Sequence, residues 1–292
     1  MKTTTFFLPS AIVSIRELLY TKKMRLRLQK FDANAMKPFS ISLLLGRRNT
    51  GKSTLMRDLL YHMRDHSDVC ICMTPTESAA QFFREITPKS FVYDSGLDLA
   101  MLESLMTIQR EFARTGKRVR RVTLVLDDCS CDASALRSNV ISDLFRNGRH
   151  QKITVIITSQ YATDLGPGLR SQVDYVFCMR DPSVANKKRL HSFFAGAIES
   201  YHSFSNVFDI VTSNYGVFVV NNTAIDSDVE TNTYWYRASL DIPQFQLTDK
   251  VYYKIEKKQG RRDTIDVAVA SSQKPPASGG VILDSPATIG AS

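Results

Sequence analysis

The chain has 292 residues, 43% of them hydrophobic and 10% aromatic, with only 13 Gly, which excludes fibrous and intrinsically disordered classes and leaves room for a substantial core. The net charge is +9, and it is unevenly placed: residues 1–67 hold 13 of the 38 Lys/Arg but four of the 29 acids (Glu17, Asp32, Asp58, Asp65). That region suits a polyanionic partner or the phosphates of a ligand, and a solvated basic face explains it equally well.

The first residues, "MKTTTFFLPSAIVSI", make a poor signal peptide, and no apolar run approaches the roughly 18 residues of a membrane span. The expectation is a soluble intracellular protein without an integral membrane segment. Residues 1–37 read as a basic N-terminal segment, 38–255 as the folded domain and 256–292, rich in Ser, Pro, Ala and Gly, as a flexible tail.

Along the domain, apolar runs at 39–46, 69–74, 122–128, 153–160 and 173–179 predict strands covered on both faces. Helical patterns at 52–65, 98–114, 134–146 and 183–200 alternate with them, with Asp98 and Ser134 as expected caps of the second and third. Such alternation predicts an α/β fold with a mainly parallel sheet flanked by helices. Residues 214–222 and 232–240 predict further strands or a terminal hairpin.

Of the five cysteines, Cys70–Cys72 and Cys129–Cys131 are C-x-C pairs, each expected to share one strand face. Zinc sites prefer C-x₂-C, so these read as free thiols of a reducing compartment rather than as a metal centre.

"LLLGRRNTGKSTL" carries the strongest chemistry. Gly46, four residues, then Gly51-Lys52-Ser53, after a strand and before a helix, is the setting of a phosphate-binding loop. Residues Gly46, Arg47, Arg48, Asn49, Thr50, Gly51, Lys52, Ser53 and Thr54 would cradle the phosphates of ATP. Lys52 would neutralise the β/γ oxygens and the Ser53 hydroxyl would ligate Mg²⁺. "VTLVLDD" brings Asp127 and Asp128 to the edge of the sheet where ligands bind, Asp127 as the second Mg²⁺ partner and Asp128 to orient the attacking water; the bland reading is a capped turn. Gln160, at the tip of the strand after the acidic pair, would sense the γ-phosphate or hold that water. In "LFRNGRHQKI", Gly148 is an expected helix stop. Arg146 and Arg149 there could serve an adjoining subunit's site or complement the helix dipole, and Arg170 is a third arginine near the sheet edge.

Taken in order, "GRRNTGKST", "LVLDDC", "LFRNGRHQKITVIITSQ", "LRSQVDYVF" and "NYGVFVVNNTA…YWYRA" resemble the DNA-packaging ATPases of large nucleocytoplasmic DNA viruses, poxvirus-type members of the FtsK–HerA branch of P-loop translocases. The resemblance spans roughly residues 40–240, and "RNGRH" before a strand ending in Gln is its most specific part. It implies a RecA-like P-loop NTPase core that forms a homo-oligomeric ring, a hexamer by expectation. It also implies ATP hydrolysis that drives double-stranded DNA into a capsid, with viral or membrane-associated capsid proteins as partners. The place of action would be the host cytoplasm at the viral factory, and the virion. Lys52 and Ser53 would be Walker A residues, Asp127 and Asp128 the Walker B pair, and Gln160 the sensor. Arg149 is the first choice for the trans-acting arginine, with Arg146 and Arg170 open. Arg47 and Arg48 depart from related loops, which usually carry small or neutral residues there.

Two other enzyme readings compete: a different DNA translocase or helicase of the same branch, and a P-loop nucleotide kinase, which would lack a strand ending in Asp-Asp. "NKKRL" at 186–190 puts Arg189 where a guanine-reading motif needs Asp, so it reads as a solvated helix face or a DNA-backbone contact. A structural protein with a degenerate site is disfavoured by intact Lys52, Ser53, Asp127 and Asp128.

Overall fold

The computed structural model describes residues 27–129, 134–225 and 228–259. Its strands are β1 (Gln29–Lys30), β2 (Ile41–Leu45), β3 (Val69–Met73), β4 (Val92–Tyr93), β5 (Val122–Leu126), β6 (Ile153–Ser159), β7 (Tyr175–Cys178), β8 (Val217–Asn221) and β9 (Thr233–Tyr236). They form one sheet in the order β1-β9-β8-β7-β2-β6-β5-β3-β4. The segment from β7 to β4 is parallel throughout; β8 runs antiparallel to both β7 and β9.

All residues of β2, β3, β5, β6 and β7 are buried, which is why they appear in the sequence as continuous apolar runs. Side chains alternate between two cores. Leu43, Leu45, Leu124 and Val155 pack with α3 (Leu99–Arg114), α4 (Asn139–Asn147) and α7 (Tyr201–Val211) on one face. Leu44, Val125, Ile156 and Phe177 pack on the other face with Leu55 and Leu59 of α1 (Lys52–Met63) and Phe83 of α2 (Glu77–Ile86). The mostly parallel sheet flanked by helices is the fold class expected.

The structure corrects several local expectations. Asp98 does cap α3, accepting from Met101 N at 2.9 Å, but the cap of α4 is Ser138 rather than Ser134, accepting from Ile141 N at 3.3 Å. Gly148 does end α4, as expected, with its N–H donating to Leu144 O, but not in a left-handed turn: it stays helical and opens a 3₁₀ turn through Gln151, and Lys152 takes the left-handed conformation at φ 55°. The helical pattern at 183–200 is a helix only over α6 (Val184–Phe194), and the separate α7 begins after it, where Ser200 caps the new helix by accepting from Ser203 N at 3.1 Å. Within "NKKRL", Lys187 is not solvated: it is buried and pairs with Asp209 of α7 at 2.7 Å. After the short α8 (Val229–Asn232), the final described helix α9 (Lys250–Gln259) crosses the composition change at 256, with Glu256 accepting from Ser90 N at 2.6 Å. At the other end Phe31 and Met36 lie in the core, ahead of residue 38. Cys70 and Cys72 share a face with their sulfurs 3.6 Å apart, while Cys131 lies outside the described residues. No described helix is long and apolar enough to cross a membrane.

Candidate functional site

Parallel strands put their C-terminal ends on one edge, and the helix that follows β2 points its N-terminus there. The loop between β2 and α1 turns through left-handed Asn49 (φ 62°) and Gly51 (φ 93°), the latter at the N-cap of α1 with no side-chain cap. The unsatisfied N–H groups of the first turn are thus left to an anion. Gly46 is demanded by space: a Cβ there would lie 2.6 Å from Thr50 Oγ1 and 2.9 Å from Met179 Sδ. Thr50 Oγ1 donates to Arg47 O at 2.7 Å and so folds the loop on itself.

Two strands away, Asp127 continues the pairing of β5 by donating its N–H to Met73 O at 2.9 Å. Its carboxylate accepts from Thr158 Oγ1 at 2.8 Å and from Thr74 Oγ1 at 3.3 Å. Asp128 adopts φ 50°, and its amide donates to the same Thr158 hydroxyl at 2.9 Å. The Thr158 hydroxyl thus ties the Asp127 carboxylate and the left-handed Asp128 backbone to the same point of β6.

Burial pushes the Asp127 carboxyl above its ordinary value; the Thr158 bond and the Lys52 charge hold it down, and Asp128 adds to the rise. Burial likewise lowers the Lys52 ammonium, while Asp128 and Asp127 raise it and Arg48 lowers it further. Lys52 and both acids thus share one electrostatic environment although 75 residues separate Lys52 from Asp127. The desolvated Asp127 carboxylate and the exposed hydroxyl of Ser53, the residue after Lys52, are hard-oxygen donors of the kind Mg²⁺ takes.

Gln160 follows β6 beside the loop, where Gly46 N donates to Ser159 O at 3.1 Å. With Arg47, Arg48, Thr50, Tyr161, Arg180 and Pro182 it lines an open cleft of about 380 Å³. The structure thus brings together Gly46–Thr54, Asp127, Asp128 and Gln160. Arg149 stands apart. It precedes β6, at the opposite edge of the sheet, where it pairs with Asp174 at 2.7 Å; Asp174 also accepts from Ile41 N at 2.8 Å. Arg146 is an exposed residue in the last turn of α4. Arg170, closing the short helix α5 (Pro167–Arg170), covers the Phe193 ring at 4.0 Å.

Sequence reasoning missed Thr158, Thr74 and Arg180. Thr158 sits inside an apolar run, where a β-branched residue reads as strand former. Its place two residues before Gln160, on the strand next to the acidic pair, was the available signal.

Comparison with known proteins agrees with this geometry. The family model described as Poxvirus A32 protein matches residues 28–233. Protein 088R of Invertebrate iridescent virus 3 is 32% identical over 198 residues, covering 68% of this chain and 75% of its own. Protein 075L of Invertebrate iridescent virus 6 is 31% identical over 218 residues, covering 72% and 82%. Among solved structures, the DNA-packaging ATPase B204 from Sulfolobus turreted icosahedral virus superposes with a TM-score of 0.51 at 15% identity, over 70% of this chain and 100% of that one. The genome packaging NTPase B204 from Sulfolobus turreted icosahedral virus 2, in complex with ATP-gammaS, gives the same values of 0.51, 15%, 70% and 100%. At that identity the likeness establishes the fold.

Proposed function

The chain belongs to the Poxvirus A32 protein family, and from that premise we propose that it is an ATP-hydrolysing motor that packages double-stranded viral DNA into capsids. The observation that carries the reading is the shared environment of Lys52, Asp127 and Asp128 at one sheet edge, with Thr158 bonded to the acidic pair. A B204 protein of the same fold, described as a DNA-packaging ATPase, supports the choice of client.

ATP binds with its phosphates on Gly46–Thr54, where the loop amides and Lys52 take up the β/γ charge. Ser53 and Asp127 would hold Mg²⁺, which would supply charge neutralisation at the phosphate oxygens. Asp128 orients a water in line with the γ-phosphate, and Gln160 senses that phosphate. A trans-acting arginine, Arg149 by first choice, meets the neighbour's site in a homo-oligomeric ring, a hexamer by expectation. DNA is moved by its backbone, so binding is sequence-independent and falls with salt. Capsid proteins are the docking partners, and the viral factory in the host cytoplasm and the virion are the places of action.

The test is ATP hydrolysis by the full chain with and without duplex DNA. Hydrolysis stimulated by DNA and abolished in Lys52→Ala is expected. No hydrolysis by wild type, or an undiminished rate in Lys52→Ala, would sink the motor; phosphate transfer to a nucleoside would favour a kinase instead.

A further inference from the structure

An exposed aromatic ring stands beside the phosphate loop without a role in the chemistry above. Tyr215 is 68% exposed, among the most exposed large hydrophobic side chains described. It lies in the turn before β8. Because β8 is antiparallel to β7, with Phe218 opposite Cys178, this turn falls on the same sheet edge as the phosphate loop. A Cβ built on Gly51, the N-cap of α1, would meet Tyr215 Cδ1 at 3.4 Å.

The backbone is specialised to hold the ring there. Asn214 and Tyr215 both adopt left-handed conformations, φ 47° and φ 58°, which non-glycine residues rarely do in succession. Gly216 locks the turn from below, since a Cβ there would fall 1.9 Å from Val211 O. Two unfavourable dihedrals and an obligatory glycine serve to leave a large apolar ring in solvent. As surface decoration that is a poor use of stability; as a preformed platform it has a reason.

The sheet order says which part of a nucleotide would meet it. β2, which carries the loop, has β6 and β5 with Gln160 and the acidic pair on one side, and β7 and β8 on the other. The γ-phosphate and its metal must face the acids. The nucleoside end therefore leaves the loop toward β7 and β8, where Tyr215 waits. We propose that the Tyr215 ring is the stacking platform for the base of the bound nucleotide. This rests on the reading of the loop as an ATP site.

The experiment follows 1,N⁶-etheno-ATP fluorescence, which stacking quenches, together with competition by ATP and by inorganic tripolyphosphate, which has no base. Wild type and Tyr215→Phe should quench the probe. Tyr215→Leu, no worse suited than tyrosine to the left-handed backbone, should lose the quench and bind ATP about 10-fold more weakly, with tripolyphosphate affinity unchanged. Wild-type quenching and ATP affinity in Tyr215→Leu would overturn the proposal. So would equal weakening of ATP and tripolyphosphate, which would make Tyr215 a support of the loop. If wild type bound neither ligand, or if Lys52→Ala bound both as well as wild type does, the ATP-site reading itself would fall with it.

Discussion

Thr158 donates its hydroxyl proton to Asp127 Oδ1 at 2.8 Å and accepts from the amide of Asp128 at 2.9 Å. One side chain on β6 thus holds the Asp127 carboxylate and the Asp128 backbone just past the end of β5. Without a metal the Asp127 carboxyl lies above its ordinary value, and only its ionised form can hold Mg²⁺, so Mg²⁺ affinity should fall as pH drops through that raised value. The Thr158 bond favours the ionised form, and its removal raises that value further. In Thr158→Val the acid limb of the pH dependence of Mg²⁺ affinity should therefore move to higher pH, with the neutral-pH hydrolysis rate down about 10-fold as the pair loses its alignment. An unmoved acid limb would show that Thr158 does not tune the acid.

Asp127→Asn should separate stability from activity. Burial penalises the ionised carboxylate, so the native state carries a cost above the ordinary carboxylate range that disappears as pH falls through the raised value. Without nucleotide or divalent cation, the amide variant should melt above wild type near pH 7 and converge with it at about pH 4. Its hydrolysis should be down by on the order of 100-fold or more. Thermal unfolding at the two pH values checks the crossover; a variant less stable at pH 7 would contradict it.

Gly46→Ala tests the loop directly. The added methyl would press on Thr50 Oγ1 at 2.6 Å and on Met179 Sδ at 2.9 Å. Met179 is a flexible side chain, but Thr50 is tied to Arg47 O, so the loop must shift where its amides should meet phosphate. ATP affinity should fall at least about 10-fold, while overall stability drops by about 1–3 kcal/mol. Titration calorimetry and urea unfolding separate the two effects.

The central strands were legible because burial on both faces writes an unbroken apolar run, as in Ile153–Ser159. The phosphate loop and acidic pair were legible because their chemistry tolerates few other residues. Two-residue β4 and β1 left no pattern to read. α2 went unseen because Ala80, Phe83 and Ile86 give its buried stripe only three members between "TPTES" and "TPKS". Thr158 and Tyr215 were hidden for another reason: their importance is a spatial relation, to Asp127 and to Gly51, across strands that the sequence does not order.

Arg149 lies across the sheet from its own phosphate loop and is 63% exposed, so any contact with a γ-phosphate must be to another subunit's. Subunits carrying Arg149→Ala and subunits carrying Lys52→Ala should each be inactive alone, with activity lost by about 1,000-fold or more for a trans arginine. Mixed in one ring, an Arg149→Ala subunit supplies an intact loop and its Lys52→Ala neighbour an intact arginine. Mixing should then restore hydrolysis at the fraction of interfaces so composed. If mixtures stay inactive while Asp174→Asn reproduces the Arg149→Ala loss, the pair serves the strand edge at Ile41 rather than a neighbour's ATP.

Asp68 gives a stability prediction remote from the site. It is buried before β3 and accepts from Arg121 N at 2.9 Å, Arg121 Nη2 at 2.7 Å and Arg121 Nε at 3.1 Å, with Arg118 beside it. Burial pushes its carboxyl up, but the Arg121 bonds and charge outweigh that and hold it below the ordinary carboxylate range. A depressed carboxylate contributes stability that is fully present above the unfolded-state value and is lost as pH falls through the folded one. Asp68→Asn should therefore cost about 2 kcal/mol at neutral pH, the scale of hydrogen bonds to a charged group, discounted for the part-exposed arginines. The gap to wild type should narrow below about pH 4. Because Asp68 O also accepts from Asp249 N at 3.0 Å just ahead of α9, the lost stability should appear as earlier exchange of the α9 amides. Equal protection of α9 in both proteins would confine the role of Asp68 to the start of β3.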